Sequence, residues 1–212
     1  MIFPSLKREG SLSNIEYHLL MKRRQFLADL IYGATVALTL PIQATEARVN
    51  TTGVRYLRPP GALPEDQFKS QCIRCGQCGE VCPNRCITYF GIAHGTKVMD
   101  TPFIIPREQA CILCMKCGDV CPSGAIQPIK RTFDDIVGKV RMGKARVDEN
   151  LCLSFQGKTC GVCYRACKLQ DVAIRIGMLE QPHVLDGCIG CGLCERSCIQ
   201  IPQAIRIIPD YS

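Results

Sequence analysis

The spacing of the cysteines constrains this chain more than any other feature of its sequence. The chain has 212 residues and 17 cysteines, and sixteen of these cysteines fall into four groups, numbered here as repeats one to four. Three groups share the pattern Cys-x2-Cys-x2-Cys-x3-Cys, and repeat three is a stretched copy with seven residues between its first two cysteines. A disulfide framework gives no reason to repeat one short spacing, whereas a metal framework does. The groups are Cys72, Cys75, Cys78 and Cys82; Cys111, Cys114, Cys117 and Cys121; Cys152, Cys160, Cys163 and Cys167; and Cys188, Cys191, Cys194 and Cys198.

This spacing indicates iron–sulfur chemistry. A C-x2-C-x2-C-x3-C-P run is a bacterial signature for [4Fe–4S] cofactors, in which three close thiolates bind one cluster and the fourth binds its neighbour. Pro83 and Pro122 follow the fourth cysteine in repeats one and two. Structural zinc is the alternative, but zinc sites usually use two separated Cys-x2-Cys pairs rather than three evenly spaced thiols. We therefore predict four [4Fe–4S] clusters, bound by all sixteen cysteines.

Each repeat is expected to lend its fourth cysteine to a partner repeat. Glycines such as Gly76 and Gly192 let the loop curl around anionic sulfur, and the fourth cysteine is expected to begin a helix that leads away. The charged stretch 131–150, which reads as a helix and then a strand, separates repeats one and two from repeats three and four. A rival arrangement pairs repeat one with four and two with three, and uses the same sixteen ligands. The ligand sets of the first arrangement are Cys72, Cys75, Cys78 with Cys121; Cys111, Cys114, Cys117 with Cys82; Cys152, Cys160, Cys163 with Cys198; and Cys188, Cys191, Cys194 with Cys167.

These patterns predict an α+β fold of tandem bacterial-type ferredoxin-like modules, each built for two [4Fe–4S] clusters. Regular secondary structure is expected to be sparse, because the segments between the cysteine groups are short. We assign residues 48–131 to a module with repeats one and two, and residues 132–212 to a module with repeats three and four. The hydrophobic core should be thin, so the clusters should stabilise the fold and the chain without them should be largely unfolded.

Residues 1–47 have the layout of an export signal. The stretch "MKRRQFLADL" begins at Met21 and carries the paired Arg23 and Arg24, a modest apolar run follows over residues 30–42, and small residues precede Arg48. This layout is typical of a bacterial signal peptide, and the paired arginines resemble the twin-arginine export signal. A weakly anchoring N-terminal helix is the alternative. Met21 offers a second start site, so the first 20 residues could be an extension.

No constellation in the sequence indicates an enzyme. There is no Ser/His/Asp arrangement and no glycine-rich phosphate loop, and four thiolates per cluster leave no open metal position. No Cys-x-x-Cys is followed by histidine, which excludes a c-type haem attachment. The net charge of +7 comes without a basic run interleaved with aromatics, so nucleic acid is not an expected partner. The three histidines, His18, His94 and His183, lack ligand-like spacing and are expected in loops or at the surface.

Each cysteine loop carries a basic residue between two of its closely spaced cysteines. Positive charge beside an anionic cluster can raise its reduction potential. The alternative is solvated surface charge, which also assists docking of a partner. The residues are Arg74, Lys116, Arg165 and Arg196.

From the twin-arginine segment to the C-terminus the chain resembles the MauM/NapG family of ferredoxin-type proteins. The likeness is carried by "GVRYLRPPGALPEDQFKSQCIRCGQCGEVCP", by "CPSGAI", by "CLSFQG" with "CGVCYRAC" in the stretched repeat, and by the closing "QAIRIIP". The resemblance implies a protein with four [4Fe–4S] clusters that is exported folded to the periplasm. It implies peripheral association with the inner membrane, where a ferredoxin-type quinol dehydrogenase supplies electrons. The acceptor would be a periplasmic redox enzyme or cytochrome, of the nitrate reductase or methylamine dehydrogenase type.

Two functional classes are compatible with this resemblance. The first is an electron carrier between the quinol dehydrogenase and the periplasmic enzyme. The second is an accessory factor that helps to mature such an oxidoreductase. A third interpretation, an exported disulfide-rich binding protein, follows from the cysteine content alone. The chain departs from the family at repeat two, whose plain spacing is narrower, and at Lys168, where a proline is usual.

The seventeenth cysteine, Cys86, stands outside the four groups. Aligning "CPNRCI" with "CPSGAI" places it over Ala125, four residues beyond the fourth cysteine of its repeat. Repeats three and four have Ala173 and Ala204 at the corresponding turn. We therefore interpret Cys86 as a small packing residue, because cysteine packs well in apolar surroundings. The alternative is a spare ligand or a reactive thiol.

Overall fold

Each cysteine group contributes one turn of helix, and that helix holds the third cysteine of the group. The computed structural model describes residues 56–210, so the export-signal prediction for residues 1–47 lies outside the described residues. Two longer helices precede repeat one and join repeat two to repeat three. In chain order the α-helices of the described residues are α1 Glu65–Gln71, α2 Gln77–Glu80, α3 Lys116–Asp119, α4 Phe133–Lys139, α5 Val162–Ala166 and α6 Leu193–Ser197.

A residue with left-handed backbone starts each of the four cluster-loop helices. Gly76, Gly161 and Gly192 have φ of 78°, 54° and 85°, and Met115 has φ of 63° in repeat two. Glycine adopts this conformation without a steric penalty, which explains its place in three of the four loops. The reversal turns the chain sharply so that the third cysteine enters a new helix.

The expectation that the fourth cysteine begins a helix is wrong. Cys167 and Cys198 lie just after α5 and α6, with extended backbone at ψ of 131° and 125°. Cys82 and Cys121 stand directly before prolines, and the ring of a proline disfavours helical backbone in the residue before it. The helix therefore ends before the fourth cysteine rather than starting there.

Three two-stranded antiparallel sheets complete the regular structure of the described residues. Strand β1 pairs with β2, β3 with β6, and β4 with β5. The prediction of a helix and then a strand in residues 131–150 is confirmed by α4 and β3. The strands are β1 Thr88–Tyr89, β2 Pro102–Phe103, β3 Gly143–Val147, β4 Ile174–Ile176, β5 Pro182–Val184 and β6 Ile205–Pro209.

One apolar cluster runs through the described residues and includes the cysteine loops. Phe68 from α1, Ile104, Val140 and Ile207 from β6 are almost fully buried in it, and most cysteines either belong to it or pack against it. Short sheets cannot enclose a large core, so the cysteine side chains supply much of its buried surface. None of the helices among these residues is both long and apolar enough to cross a membrane.

Arg58 anchors the segment that leads into repeat one. Its guanidinium is 8% exposed and forms a two-point ion pair with Glu65, at 2.8 Å from Nε to Oε2 and 2.6 Å from Nη2 to Oε1. It also donates to the hydroxyl of Thr101 and to the carbonyl of Pro102, and it stacks 4.6 Å from the ring centre of Phe68. A buried guanidinium needs this full set of partners because it cannot lose its charge.

We predict that Arg58→Met lowers the free energy of unfolding of the holoprotein by about 3 kcal/mol, because it leaves Glu65 without its main partner in a buried site. The measurement is the urea midpoint under anaerobic conditions.

Burial acts to raise the pKa of Glu65, but the hydrogen bonds and charges of Arg58 and Lys69 hold that pKa below its ordinary value. The contribution of the pair is therefore present above the pKa of an unfolded glutamate and is lost as pH falls through the lowered value.

Lys144→Ala is the matched control, because it removes one partner of the exposed ion pair with Asp186. Exposed pairs contribute little to stability, so its midpoint should stay near that of the wild type. Equal midpoints for the Arg58 and Lys144 variants would contradict the assigned role of Arg58.

Candidate cluster-binding sites

The structure brings cysteines from two repeats together around a common cavity in three places. The first of these cavities combines repeats three and four. Its walls include the first three cysteines of repeat three and the fourth cysteine of repeat four, with apolar atoms from β3 and β6. The cysteines are Cys152, Cys160, Cys163 and Cys198.

A second cavity combines the same two repeats, with their contributions interchanged. It is lined by the first three cysteines of repeat four and by Cys167, the fourth cysteine of repeat three. Helices α5 and α6 lie against each other between the two cavities. The cysteines from repeat four are Cys188, Cys191 and Cys194.

A third cavity combines repeat two with repeat one and holds five thiols. Cys82 of repeat one lines it together with the first three cysteines of repeat two, Cys111, Cys114 and Cys117. Cys86 lines the same cavity, and its Sγ lies 3.6 Å from the Sγ of Cys82. Cys86 is therefore buried, as expected of a packing residue, but it is buried against cysteines rather than among aliphatic side chains alone.

The remaining group lies in the loop of repeat one. Burial raises the pKa of the Cys78 thiol, and the neighbouring thiols of Cys72 and Cys75 raise it further. Tyr89 of β1 braces this loop, since its hydroxyl donates to the carbonyl of Gly76 at 2.5 Å and accepts from the amide of Gly79 at 3.0 Å. Sequence reasoning missed this tyrosine, whose contacts depend on how β1 folds back onto the loop.

Contacts between repeats show which loops are neighbours. Helix α2 of repeat one lies against α3 of repeat two. The loops of repeats two and four also meet, because the amide of Cys111 donates to the carbonyl of Cys191 at 3.0 Å. Arg107 reinforces this junction by donating to the carbonyls of Glu195 and Arg196 in α6 and to that of Cys198 just after it, the last at 2.8 Å. A cation at this end of a helix satisfies carbonyls that have no partner within the helix.

Backbone amides donate hydrogen bonds to cysteine sulfurs of repeats two, three and four. The amides of Leu113, Ile126 and Leu169 donate to Cys111, Cys121 and Cys167, each at 3.4 Å from nitrogen to Sγ. The amide of Ala145 in β3 donates to Cys188 at the same distance. Hydrogen bonds of this kind favour a negatively charged sulfur, as in a thiolate bound to a metal.

Burial works against a negative charge on four other cysteine sulfurs when no cation is nearby. It raises the pKa of the thiols of Cys78 and Cys163 to about 11, and those of Cys117 and Cys191 to about 12. Such thiols stay protonated at neutral pH on their own, whereas a thiol bound to a metal cation is deprotonated. The donor set therefore suits a cationic metal centre that takes the place of the protons.

One buried hydroxyl tests whether the cavity of repeat three suits a sulfur-containing cofactor. The Oγ of Ser154, a residue 1% exposed, is the one buried side-chain oxygen or nitrogen in residues 56–210 that has no hydrogen-bond partner. Ser154 lines the cavity of Cys152, Cys160, Cys163 and Cys198. An unpaired buried hydroxyl is costly, and an anionic sulfur inside this cavity would accept its hydrogen bond. The cavity thus fits a sulfur-containing cofactor.

The described cysteines suit single metal ions less well than they suit a larger cluster. Between Tyr56 and Asp210, no three Cys, His, Asp or Glu side chains converge tightly enough to hold one ion. The thiols instead line shared cavities in sets of four or five, which suits a larger inorganic group that binds each thiol at a different corner.

The other charged and titratable residues singled out from the sequence lie at the surface. Arg74, Lys116, Arg165 and Arg196 are exposed. Arg165 pairs with Glu180, and Arg196 donates to the carbonyl of Glu108. The two described histidines, His94 and His183, are exposed as well. The position of the four basic residues agrees with solvated surface charge.

Comparison with known proteins agrees with this site chemistry. Residues 71–125 match the family described as "4Fe-4S dicluster domain". The chain is 38% identical to the Ferredoxin-type protein NapG of Escherichia coli over 205 residues, which cover 88% of this chain and 85% of that protein. It is 34% identical to the Methylamine utilization ferredoxin-type protein MauM of Methylorubrum extorquens over 200 residues, covering 88% of this chain and 89% of that protein. The NapG protein of Haemophilus influenzae is 36% identical, with 89% and 72% covered.

Identity at this level over most of both proteins, together with an iron–sulfur domain over repeats one and two, settles the relationship. The chain belongs to the family of NapG and MauM ferredoxin-type proteins, which are iron–sulfur electron-transfer proteins.

Proposed function

We propose that this chain holds four [4Fe–4S] clusters and relays electrons between two redox partners in the periplasm. The observation that carries the proposal is the exchange of cysteines: three cavities each combine three thiols of one repeat with the fourth thiol of another. When bound, a [4Fe–4S] cluster supplies reversible one-electron chemistry at a potential tuned by its surroundings. The exchange pairs repeat one with two and repeat three with four, which supports two ferredoxin-like modules at residues 48–131 and 132–212.

The four proposed ligand sets follow from these cavities and from the repeat. Cys121 completes the set of repeat one by symmetry, because it stands in repeat two where Cys82 stands in repeat one. All sixteen cysteines are then ligands. The sets are Cys72, Cys75, Cys78 and Cys121; Cys82, Cys111, Cys114 and Cys117; Cys167, Cys188, Cys191 and Cys194; and Cys152, Cys160, Cys163 and Cys198.

The contacts between loops support a linear order for the four sites. The hydrogen bond from Cys111 to Cys191 makes the loops of repeats two and four neighbours, so their sites lie at the centre. The sites of repeats one and three then form the two ends. At one end Cys75 is exposed, and at the other the loop 156–159 is exposed beside Cys160. A partner can approach both ends, as a relay between two proteins requires.

The proposed partners follow from the family. A membrane ferredoxin-type quinol dehydrogenase would deliver electrons, and a periplasmic oxidoreductase of the nitrate reductase or methylamine dehydrogenase type, or a cytochrome, would receive them.

We propose export by the twin-arginine route, carried by Arg23 and Arg24, and a location at the periplasmic face of the inner membrane. Export in the folded state suits this chain, because seventeen free thiols threaded unfolded into an oxidising compartment would form disulfides.

The relay predicts fast electron delivery from the reduced holoprotein. The dithionite-reduced protein is mixed in a stopped-flow instrument with the purified periplasmic oxidoreductase encoded beside its gene, and bleaching of the clusters on oxidation is followed. Reoxidation should be much faster with the oxidoreductase than with buffer. Cys198→Ala, which removes a proposed ligand at one end of the relay, should slow it.

Reoxidation at the rate seen in buffer would contradict the carrier role. If the two proteins still formed a stable complex, that result would favour the alternative, a maturation factor for the same oxidoreductase.

A second prediction concerns the unpaired hydroxyl of Ser154 in the cavity of repeat three. A hydroxyl that donates to cluster or ligand sulfur stabilises the more negative, reduced state. We therefore expect Ser154→Ala to lower the reduction potential of one of the four clusters. The potentials are measured by redox titration with electron paramagnetic resonance (EPR) detection.

Two variants control this measurement. Ser154→Thr keeps a hydroxyl and should retain the wild-type potential. Ser70→Ala removes an exposed hydroxyl that donates to the carbonyl of Gln67 and should change no potential. An unchanged set of four potentials in Ser154→Ala would show that this hydroxyl does not reach the cofactor.

A further inference from the structure

The seventeenth cysteine stands where a ligand could stand. Cys86 is 4% exposed and lines the cavity that also holds Cys82, Cys111, Cys114 and Cys117. The sulfurs of Cys86 and Cys82 are 3.6 Å apart, so a small movement exchanges one for the other at the same wall of the cavity. Of the three cysteine-lined cavities described above, this one contains five thiols and the other two contain four each.

The backbone between the two cysteines presents both sulfurs to the cavity. The amide of Arg85 donates to the carbonyl of Cys82 at 3.0 Å, and Arg85 has left-handed backbone with φ of 46°. The turn is tied to the start of repeat two, because the side chain of Asn84 donates to the carbonyl of Ala110 at 2.7 Å. Cys86 is therefore held beside the loop of repeat two rather than directed to solvent.

The same turn recurs in repeat two without the extra thiol. Gly124 has φ of 71° where repeat one has Arg85, and its amide donates to the carbonyl of Cys121. Ala125 then takes the place of Cys86 and is likewise buried. The two turns differ in whether a second sulfur is present, so repeat two is an internal control for repeat one.

We propose that Cys86 is an alternative fourth ligand for the cluster held by Cys111, Cys114 and Cys117. This inference rests on the proposed cluster at that site. In the exchange the Fe–S bond to Cys82 breaks and an Fe–S bond to Cys86 forms, while the thiol of Cys86 gives up its proton and Cys82 takes one. One thiolate replaces another, so no electron is gained or lost. A site in the middle of the relay thus has two residues able to complete it.

The test compares iron content in four variants of the full-length holoprotein, assembled anaerobically and measured with native mass spectrometry. Cys82→Ala should keep the iron content of the wild type, because Cys86 completes the site. The double variant Cys82→Ala/Cys86→Ala should lose about four iron ions per chain, the content of one cluster. Cys121→Ala, whose turn carries Ala125 in place of a second thiol, should lose about the same amount.

A further variant introduces the extra cysteine of repeat one into repeat two, and it tests whether a thiol at this turn restores iron binding. Adding Ala125→Cys to Cys121→Ala gives repeat two the turn of repeat one, and the lost iron should return. This arm keeps the proposal testable if Cys82→Ala folds poorly. The wild-type chain measured in parallel reports on the four-cluster proposal separately.

Three results would overturn the proposal for Cys86 without contradicting the proposal that the wild-type chain holds four clusters. The first is a loss of a full cluster in Cys82→Ala equal to that in the double variant. The second is a three-iron cluster in Cys82→Ala, recognised by a new EPR signal in the oxidised protein. The third is no recovery of iron in the variant that carries Ala125→Cys.

Discussion

The exchange of one cysteine between partner repeats is the interaction on which the rest of this structure depends. In three of the four repeats the fourth cysteine lines a cavity formed with another repeat, as Cys198 and Cys167 do between repeats three and four. Two short loops that share ligands in this way cannot move apart while their clusters are bound. The sheets have two strands each and could not by themselves hold the loops together. In the proposed ligand sets, the clusters act as the cross-links that a larger protein would obtain from its hydrophobic core.

The same constraint connects the fold to electron transfer. The proposed ligand sets place the clusters of paired loops side by side, and the hydrogen bond from Cys111 to Cys191 makes the two pairs of repeats neighbours. Arg107 stabilises that contact by satisfying the carbonyls at the end of α6. The proposed clusters are fully ligated and offer no open position for substrate, which favours a role in passing electrons on. In the proposed relay, the exposed surface at each end of the series admits a partner.

Much of the candidate site could be predicted from the sequence, because cysteine spacing acts locally and a loop of three close thiols needs no distant residue. The helix and strand in residues 131–150 were equally readable from their pattern. The expected helix after the fourth cysteine was wrong, since prolines and extended backbone end the helical turn before that residue. The signal in residues 1–47 and the ligand roles of the sixteen cysteines stay predictions.

The sequence could not provide the features that depend on the tertiary fold. Examples are the hydrogen bond from Arg58 to Thr101, the contacts of Tyr89 with the loop of repeat one, and the unpaired hydroxyl of Ser154. Cys86 is the most instructive case. Its alignment with Ala125 correctly located it at a buried turn, but alignment does not reveal that the turn faces a cavity lined by four other thiols.

The most direct test of this account is the content of iron and acid-labile sulfide in the purified, anaerobically handled protein. Four [4Fe–4S] clusters predict about 16 iron and about 16 sulfide ions per chain. Markedly fewer iron ions, zinc in their place, or a folded chain with neither metal nor sulfide would contradict the claim that four clusters hold this fold together.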